Sequence, residues 1–367
     1  MKTQVRGRWL RMLLAVMLFG PMWGGGGEAQ AQLRKVTVAF ASTTFPVGTA
    51  AITTLPQALG YYREEGLEVN LVGAAGSQPS LQLVLGNQAD VGTVQPISLF
   101  QTRPKGARAK AFYTMVRRNW FYPVVIDGSP IKSLRDFKGK RIGVQSMGAS
   151  MVPFMKLVLK DAGMDPERDV SFVAVGTGAG AAALLKQGQV DILGLWSAQY
   201  AAMENAGFKF HKFVDVKPIK DMSFAVTLIA RDAWLRDNPK VAISLGRSMA
   251  RATLFALNNP EATVRLHWKM IPQSKPTGVD DATAMRWGVY ELEDGLSSMR
   301  VDNASVMKWG MTTPEEIQKY VKVLQRAKLV EDDLGKLDDY FTDKFIDAIN
   351  NFDEKKVIEQ ARTYKVQ

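Results

Sequence analysis

The chain has 367 residues and a formal net charge of +11, long enough for two domains that each bury a core of their own. It has no cysteine and only two histidines, which excludes disulfides and a lipid-modified N-terminus and argues against a transition-metal site. Its basic residues are spread along amphipathic stretches, with Arg117-Arg118 as a lone tight pair, so the charge reads as a basic surface and not as a nucleic-acid footprint.

Lys2, Arg6, Arg8 and Arg11 precede an apolar run from Met12 to Trp23, then four glycines and Ala29-Gln30-Ala31. A basic start, an apolar run too short to span a bilayer and an A-x-A site predict a cleaved secretory signal peptide over residues 1–31. Cleavage leaves 336 residues, and removing four basic residues and one acid lowers the net charge from +11 to +8. An exported, periplasmic protein is therefore expected.

Lys35 to Phe40 reads as the first strand, followed by a Ser/Thr loop over 41–44. A helix is predicted over Thr53 to Glu65 with Gly66 as its stop, then a strand from Leu67 to Val72. The Gly/Ser loop 73–78 leads to a helix that Pro79 would open in the first-turn position, and Ala89 to Gly92 reads as a strand. The same order recurs about 100 residues later. Lys140 to Gln145 is a strand, 146–150 a Ser/Gly loop, 151–162 a helix, 169–175 a strand, 176–180 a glycine loop, 181–187 a helix and Val190 to Leu195 a strand. Asn87 and Gly188 stand three residues before Asp90 and Asp191, where a helix end demands a left-handed residue. Asp90 and Asp191 themselves are read as structural, tying a neighbouring backbone.

Strands alternating with helices predict an α/β fold with mostly parallel sheets, and two such halves predict two lobes. The chain should cross between lobes near 120–127 and return through the strand-like run 222–230. Lobe 1 is then 32–121 with 223–367, and lobe 2 is 122–222. Beyond Arg231 the chain reads as almost all helix, over 241–258, 261–270, 282–299, 314–328, 340–349 and 354–362. The helix at 314 has Thr313 as cap and Glu316 to close a capping box.

Ligands of open α/β sheets bind outside the carboxyl ends of the strands. Those ends carry Ser42, Thr43 and Thr44; Ser77 and Gln78; Gln95; Ser146, Met147, Gly148, Ala149 and Ser150; and Thr177. They are hydroxyls, amides and helix-start N–H groups without Lys or Arg, which suits a neutral ligand or an anion held by helix ends. Phe45, Trp120, Phe121, Tyr122, Trp196, Tyr200 and Phe224 sit beside the same edges, with Trp196 at the end of its strand and Phe224 on the return crossing as the aromatics placed at the ligand. His211 reads as a solvent-side strand residue, and neither histidine belongs to a catalytic motif. No catalytic residue, metal or cofactor is expected.

Several segments carry a family resemblance. Leu55 to Asn70 resembles the A-x-x-x-G-Y-F-x-x-E-G-L-x-V stretch of periplasmic proteins for nitrate, sulfonates, taurine and thiamine-pyrimidine precursors. Gly73 to Gly92, Ser129 to Val144 and Leu184 to Asp191 are similar to further segments of that family, in family order, over about 35 to 230. The resemblance implies a type II periplasmic-binding (Venus flytrap) fold, no enzymatic activity, and a monomer that delivers a small molecule to the permease and ATPase of an ABC importer. It also implies that 42–44, 76–78, 146–150, Thr177 and Trp196 face the ligand. The same fold hosts a thiamine-pyrimidine synthase that consumes a histidine and pyridoxal phosphate and carries a cysteine cluster. The absence of cysteine here speaks against that alternative. A binding protein that hands its ligand to a membrane receptor is the other reading left open.

Overall fold

The computed structural model describes residues 32–217, 222, 224–301 and 307–366. The segment read as a signal peptide lies outside the described residues, as does Ser223 at the return crossing. Among the described residues, ten strands form two five-stranded sheets: β1 (Arg34–Phe40), β2 (Leu67–Gly73), β3 (Val91–Val94), β4 (Ala109–Val116), β5 (Phe121–Ile126), β6 (Lys140–Val144), β7 (Val170–Ala174), β8 (Ile192–Trp196), β9 (Phe210–Lys212) and β10 (Val226–Arg231). The first sheet runs β2-β1-β3-β10-β4 and the second β7-β6-β8-β5-β9. Each has three parallel strands, then an antiparallel strand from the far side of a crossing, then an antiparallel edge. Phe121 already pairs with Trp196 in the second sheet, so the first crossing lies between Val116 and Phe121.

The repeat is visible atom by atom. Asp90 donates its N–H to the Thr37 carbonyl at 3.0 Å while its Oδ2 accepts from the Thr37 N–H at 2.9 Å. Asp191 does the same to Arg141, at 2.9 and 2.8 Å. Each carboxylate thus continues the ladder of its sheet at the point where the third strand joins the first. Asn87 and Gly188 adopt φ of 59° and 67°, the left-handed stop that both turns require.

Three local expectations are corrected. The predicted helix 53–65 is two short helices, Leu55–Ala58 and Tyr61–Glu64, split by Gly60 at φ 77°, and a 3-10 helix over Val47–Ile52 precedes them. The apolar spacing there marks buried positions in a broken segment. The second helix, Ser77–Leu85, starts two residues before Pro79 because Gly76, at φ 117° and ψ −179°, turns the chain earlier. Pro79 is tolerated since the first N–H groups of a helix have no partner within it. Of 340–349, only Ile346–Ile349 is helical.

Helices Pro239–Asn258, Pro260–Met270, Asp281–Ser297, Pro314–Arg326 and Glu354–Thr363 complete the chain. The capping box of Thr313 and Glu316 is present. No helix among the described residues is long and apolar enough to cross a membrane.

Candidate functional site

The carboxyl ends of β1, β2, β3, β6, β7 and β8 converge, and the loops that leave them touch across the gap between the sheets. Ser146 donates its hydroxyl to the Ala75 carbonyl, and Ser150 to the Ser77 hydroxyl. The Gln78 N–H donates to the Gly148 carbonyl at 3.1 Å. Thr44 and Thr177 share a hydroxyl contact at 3.1 Å, and Gln199 Nε2 donates to Thr44 at 3.2 Å. A Cβ on Gly76 would lie 2.8 Å from the Ala149 Cα, so only glycine lets these loops approach as they do. The two sheets are closed on one another.

Behind these contacts lies a small cavity, partly continuous with solvent. Of the residues the sequence assigns to a ligand, Ser42, Ser77, Gln95, Ala149, Ser150 and Trp196 line it. The register puts Gln95 and Trp196 at equivalent places. Val38 pairs with Val91 and Ile142 with Ile192, and each of the two residues follows four positions later. Thr44, Ser146 and Thr177 serve the closing contacts instead, and Thr43 is exposed beside them. Gln78, Met147 and Gly148 border a separate surface groove with Lys156 and Lys160, and Met147 is 58% exposed.

Phe224 requires correction. It is 0% exposed and packs against Tyr320 and Phe341, with ring centroids at 5.0 and 5.7 Å, in the core formed with the C-terminal segment. Its partners arrive about 100 residues later in the chain, so its neighbourhood on the return crossing gave the wrong address. Tyr122 and Tyr200 are likewise core. The Tyr200 hydroxyl accepts from the Leu195 N–H at 2.6 Å and faces the Tyr122 and Leu193 carbonyls at 2.9 and 3.0 Å.

The walls that the site assignment omitted include Phe40, Thr49, Thr93, Trp120, Phe121 and Gln145. No Lys, Arg, His, Asp or Glu lines the cavity. Its polar groups are nevertheless unusual. Gln95 Nε2 and Oε1, Trp120 Nε1, Gln145 Nε2 and Trp196 Nε1 are all buried without a hydrogen-bond partner. Buried polar groups are as a rule paired, because an unpaired one costs about 1–3 kcal/mol. Five such atoms around one cavity are what a site for a polar ligand presents.

Buried polar atoms without a partner occur elsewhere too, at Arg247 Nε and Trp268 Nε1 among others, but they are not gathered around one space, and the most deeply placed titratable groups are paired. His267, 0% exposed, meets the Thr54 hydroxyl through Nδ1 at 2.7 Å and the Phe45 carbonyl through Nε2 at 3.0 Å. A carbonyl only accepts, so Nε2 carries the proton and Nδ1 accepts from Thr54. Burial lowers the His267 pKa to about 4. Glu291, in the Asp281–Ser297 helix, accepts from Asn205 Nδ2 at 2.9 Å, and burial raises its pKa to about 7. His211 is exposed on β9.

A family model described as NMT1/THI5 like matches residues 50–263. A protein of Brucella abortus named as a candidate binding protein is 24% identical over 226 residues, 61% of this chain and 69% of that one. The 4-amino-5-hydroxymethyl-2-methylpyrimidine phosphate synthase of Candida albicans is 22% identical over 241 residues, 62% of this chain and 68% of that one. The solved alkanesulfonate-binding protein of Xanthomonas axonopodis pv. citri superposes with a TM-score of 0.59 at 14% identity, over 81% of this chain and 94% of that one. Such a likeness establishes the fold, the two-lobed one of periplasmic binding proteins.

Proposed function

Because the chain belongs to the NMT1/THI5 like family, we propose that it is an exported solute-binding protein. It captures a small neutral or anionic organic molecule, such as a sulfonate, an aromatic acid or a pyrimidine-like ring, and delivers it to the permease and ATPase of an ABC importer. The protein acts in the periplasm as a monomer, after removal of residues 1–31, with lobe 1 built on the sheet of β1 to β4 and β10 and lobe 2 on the sheet of β5 to β9. One observation carries the reading. An uncharged cavity between the strand tips of two sheets is ringed by buried N–H groups that have no partner in the protein.

The mechanism follows from that placement. In an open form the two loop sets separate and expose Gln95 on one side and Trp196 on the other. A ligand touching both favours the closed form by its differential affinity, and the Thr44–Thr177 and Ser77–Ser150 contacts re-form around it. Synthase chemistry fits the residues less well. The chain has no cysteine, and no histidine or lysine lines the cavity to serve as reactant or to hold an aldehyde cofactor.

A thermal-shift screen of the purified protein against sulfonates, aromatic carboxylates, nitrate, pyrimidines and flavins tests the proposal. A ligand at a hundred times its Kd adds about 2.7 kcal/mol of apparent stability, a rise of several degrees in melting temperature. That rise should shrink to about a third or less in Trp196→Ala. A ligand that shifts Trp196→Ala as much as the parent would remove this cavity from the function.

A further inference from the structure

We propose that Gln95 sets the specificity of the cavity by selecting an uncharged, flat ligand in which a hydrogen-bond donor stands beside an acceptor, as in a cyclic amide. The inference rests on the ligand-binding reading above. Gln95 is 1% exposed, and neither atom of its carboxamide has a partner. Its main chain is fixed, since its N–H donates to the Ser77 hydroxyl at 3.1 Å and Ser77 is tied in turn to Ser150.

A carboxamide offers one acceptor and one donor edge whichever way it is turned. Its complement is a group that also offers one of each. A sulfonate or carboxylate offers acceptors only, so it would satisfy Nε2 and leave Oε1 facing negative oxygen. The unsatisfied acceptor would weaken binding.

The remaining unpartnered atoms point the same way. Trp120 Nε1 and Trp196 Nε1 can only donate, and Gln145 Nε2 donates as well. The ligand therefore carries more acceptors than donors. No cation lines the site to offset a full negative charge, and burying an unpaired ion is costly. Phe40, Phe121 and Leu195 supply apolar wall for a ring. A ring bearing carbonyl oxygens and at least one ring N–H meets all of these conditions together.

The test titrates the purified protein with uracil, 2-pyridone and benzenesulfonate by calorimetry. The cyclic amides should bind at least tenfold more tightly than benzenesulfonate. Gln95→Leu should weaken the amides about tenfold or more and leave benzenesulfonate unchanged or improved. Gln95→Met, closer in length, takes its place if Gln95→Leu fails to give a parent-like melting curve. Tighter binding of benzenesulfonate, or an equal loss for all three probes in the variant, overturns the inference while the receptor reading stands. The same holds if none of the three binds but another member of the thermal-shift panel does. Failure of every probe and every panel member overturns both.

Discussion

Gln95 and His267 are buried alike, at 1% and 0% exposed, yet their surroundings are opposite. His267 sits between the Thr54 hydroxyl and the Phe45 carbonyl with both ring nitrogens satisfied, and it braces the turn that follows β1 against the Pro260–Met270 helix. Gln95 has no partner for either side-chain atom, and Trp196, its counterpart in the other half, has none for its indole N–H. The difference separates two uses of buried polarity. Where the protein supplies the complement, as at His267, the group holds the fold; where several unpaired groups gather around one cavity, the complement is expected from outside.

The sharpest way to break this comparison is to remove one member from each side. Trp196→Ala deletes an indole that lines the cavity and one of its donors. The lost burial and hydrogen bond amount to roughly 2–4 kcal/mol, or about 30- to 1000-fold in Kd, for the ligand found by thermal shift. His267→Ala should act the other way. It leaves a void and two unpaired buried oxygens, at a cost of roughly 2–4 kcal/mol in urea unfolding, with ligand affinity changed less than about threefold at temperatures where the variant is folded. Equal losses of affinity in both variants would erase the distinction.

The pH dependence of stability sharpens it further. Native His267 titrates near 4 against 6.5 unfolded, so its contribution is complete above pH 6.5 and is lost as pH falls toward 4. Native Glu291 titrates near 7 against 4.5 unfolded, so its burial costs nothing below pH 4.5 and progressively more as pH rises to 7. Each limb is worth about 3 kcal/mol, with opposite sign. The two nearly cancel between pH 4.5 and 6.5, so this pair should leave stability almost unchanged there. Glu291→Gln keeps the acceptor for Asn205 and removes the falling limb. Its unfolding free energy should rise with pH across 4.5 to 6.5, and curves parallel to those of the parent would show that Glu291 is ionised in the folded protein.

The sequence made the repeat legible because its signals are local. An aspartate at a strand start and a glycine or asparagine at a helix stop act within a few residues, and Asp90, Asp191, Asn87 and Gly188 stand as turn chemistry requires. The strand tips followed from the repeat, and with them Ser42, Ser77, Gln95, Ser150 and Trp196 at the cavity. What stayed hidden is tertiary. Gln145 ends a predicted strand and looks no different from any strand-end glutamine until the partner it lacks is sought in three dimensions. Phe224 owes its burial to Tyr320 and Phe341, which no local pattern announces. The split of 53–65 depends on Gly60 entering the left-handed region inside a segment whose apolar spacing is helical.

The smallest expected effects test the equivalence of the two halves. A Cβ at Gly188 would meet nothing within 4 Å, so Gly188→Ala is charged only with forcing alanine to φ 67°. That costs about 1–2 kcal/mol in unfolding free energy. Asn87 holds φ 59° with a residue that tolerates it. Asn87→Gly relieves the remaining strain but frees the unfolded chain, and should lie within about 0.5 kcal/mol of the parent. Asn87→Ala should cost about as much as Gly188→Ala, since both turns hand the chain to a third strand through the same aspartate ladder. A marked difference between the two alanine variants would mean that one lobe relies on its turn far more than the other, and that the repeat is one of topology without being one of energetics.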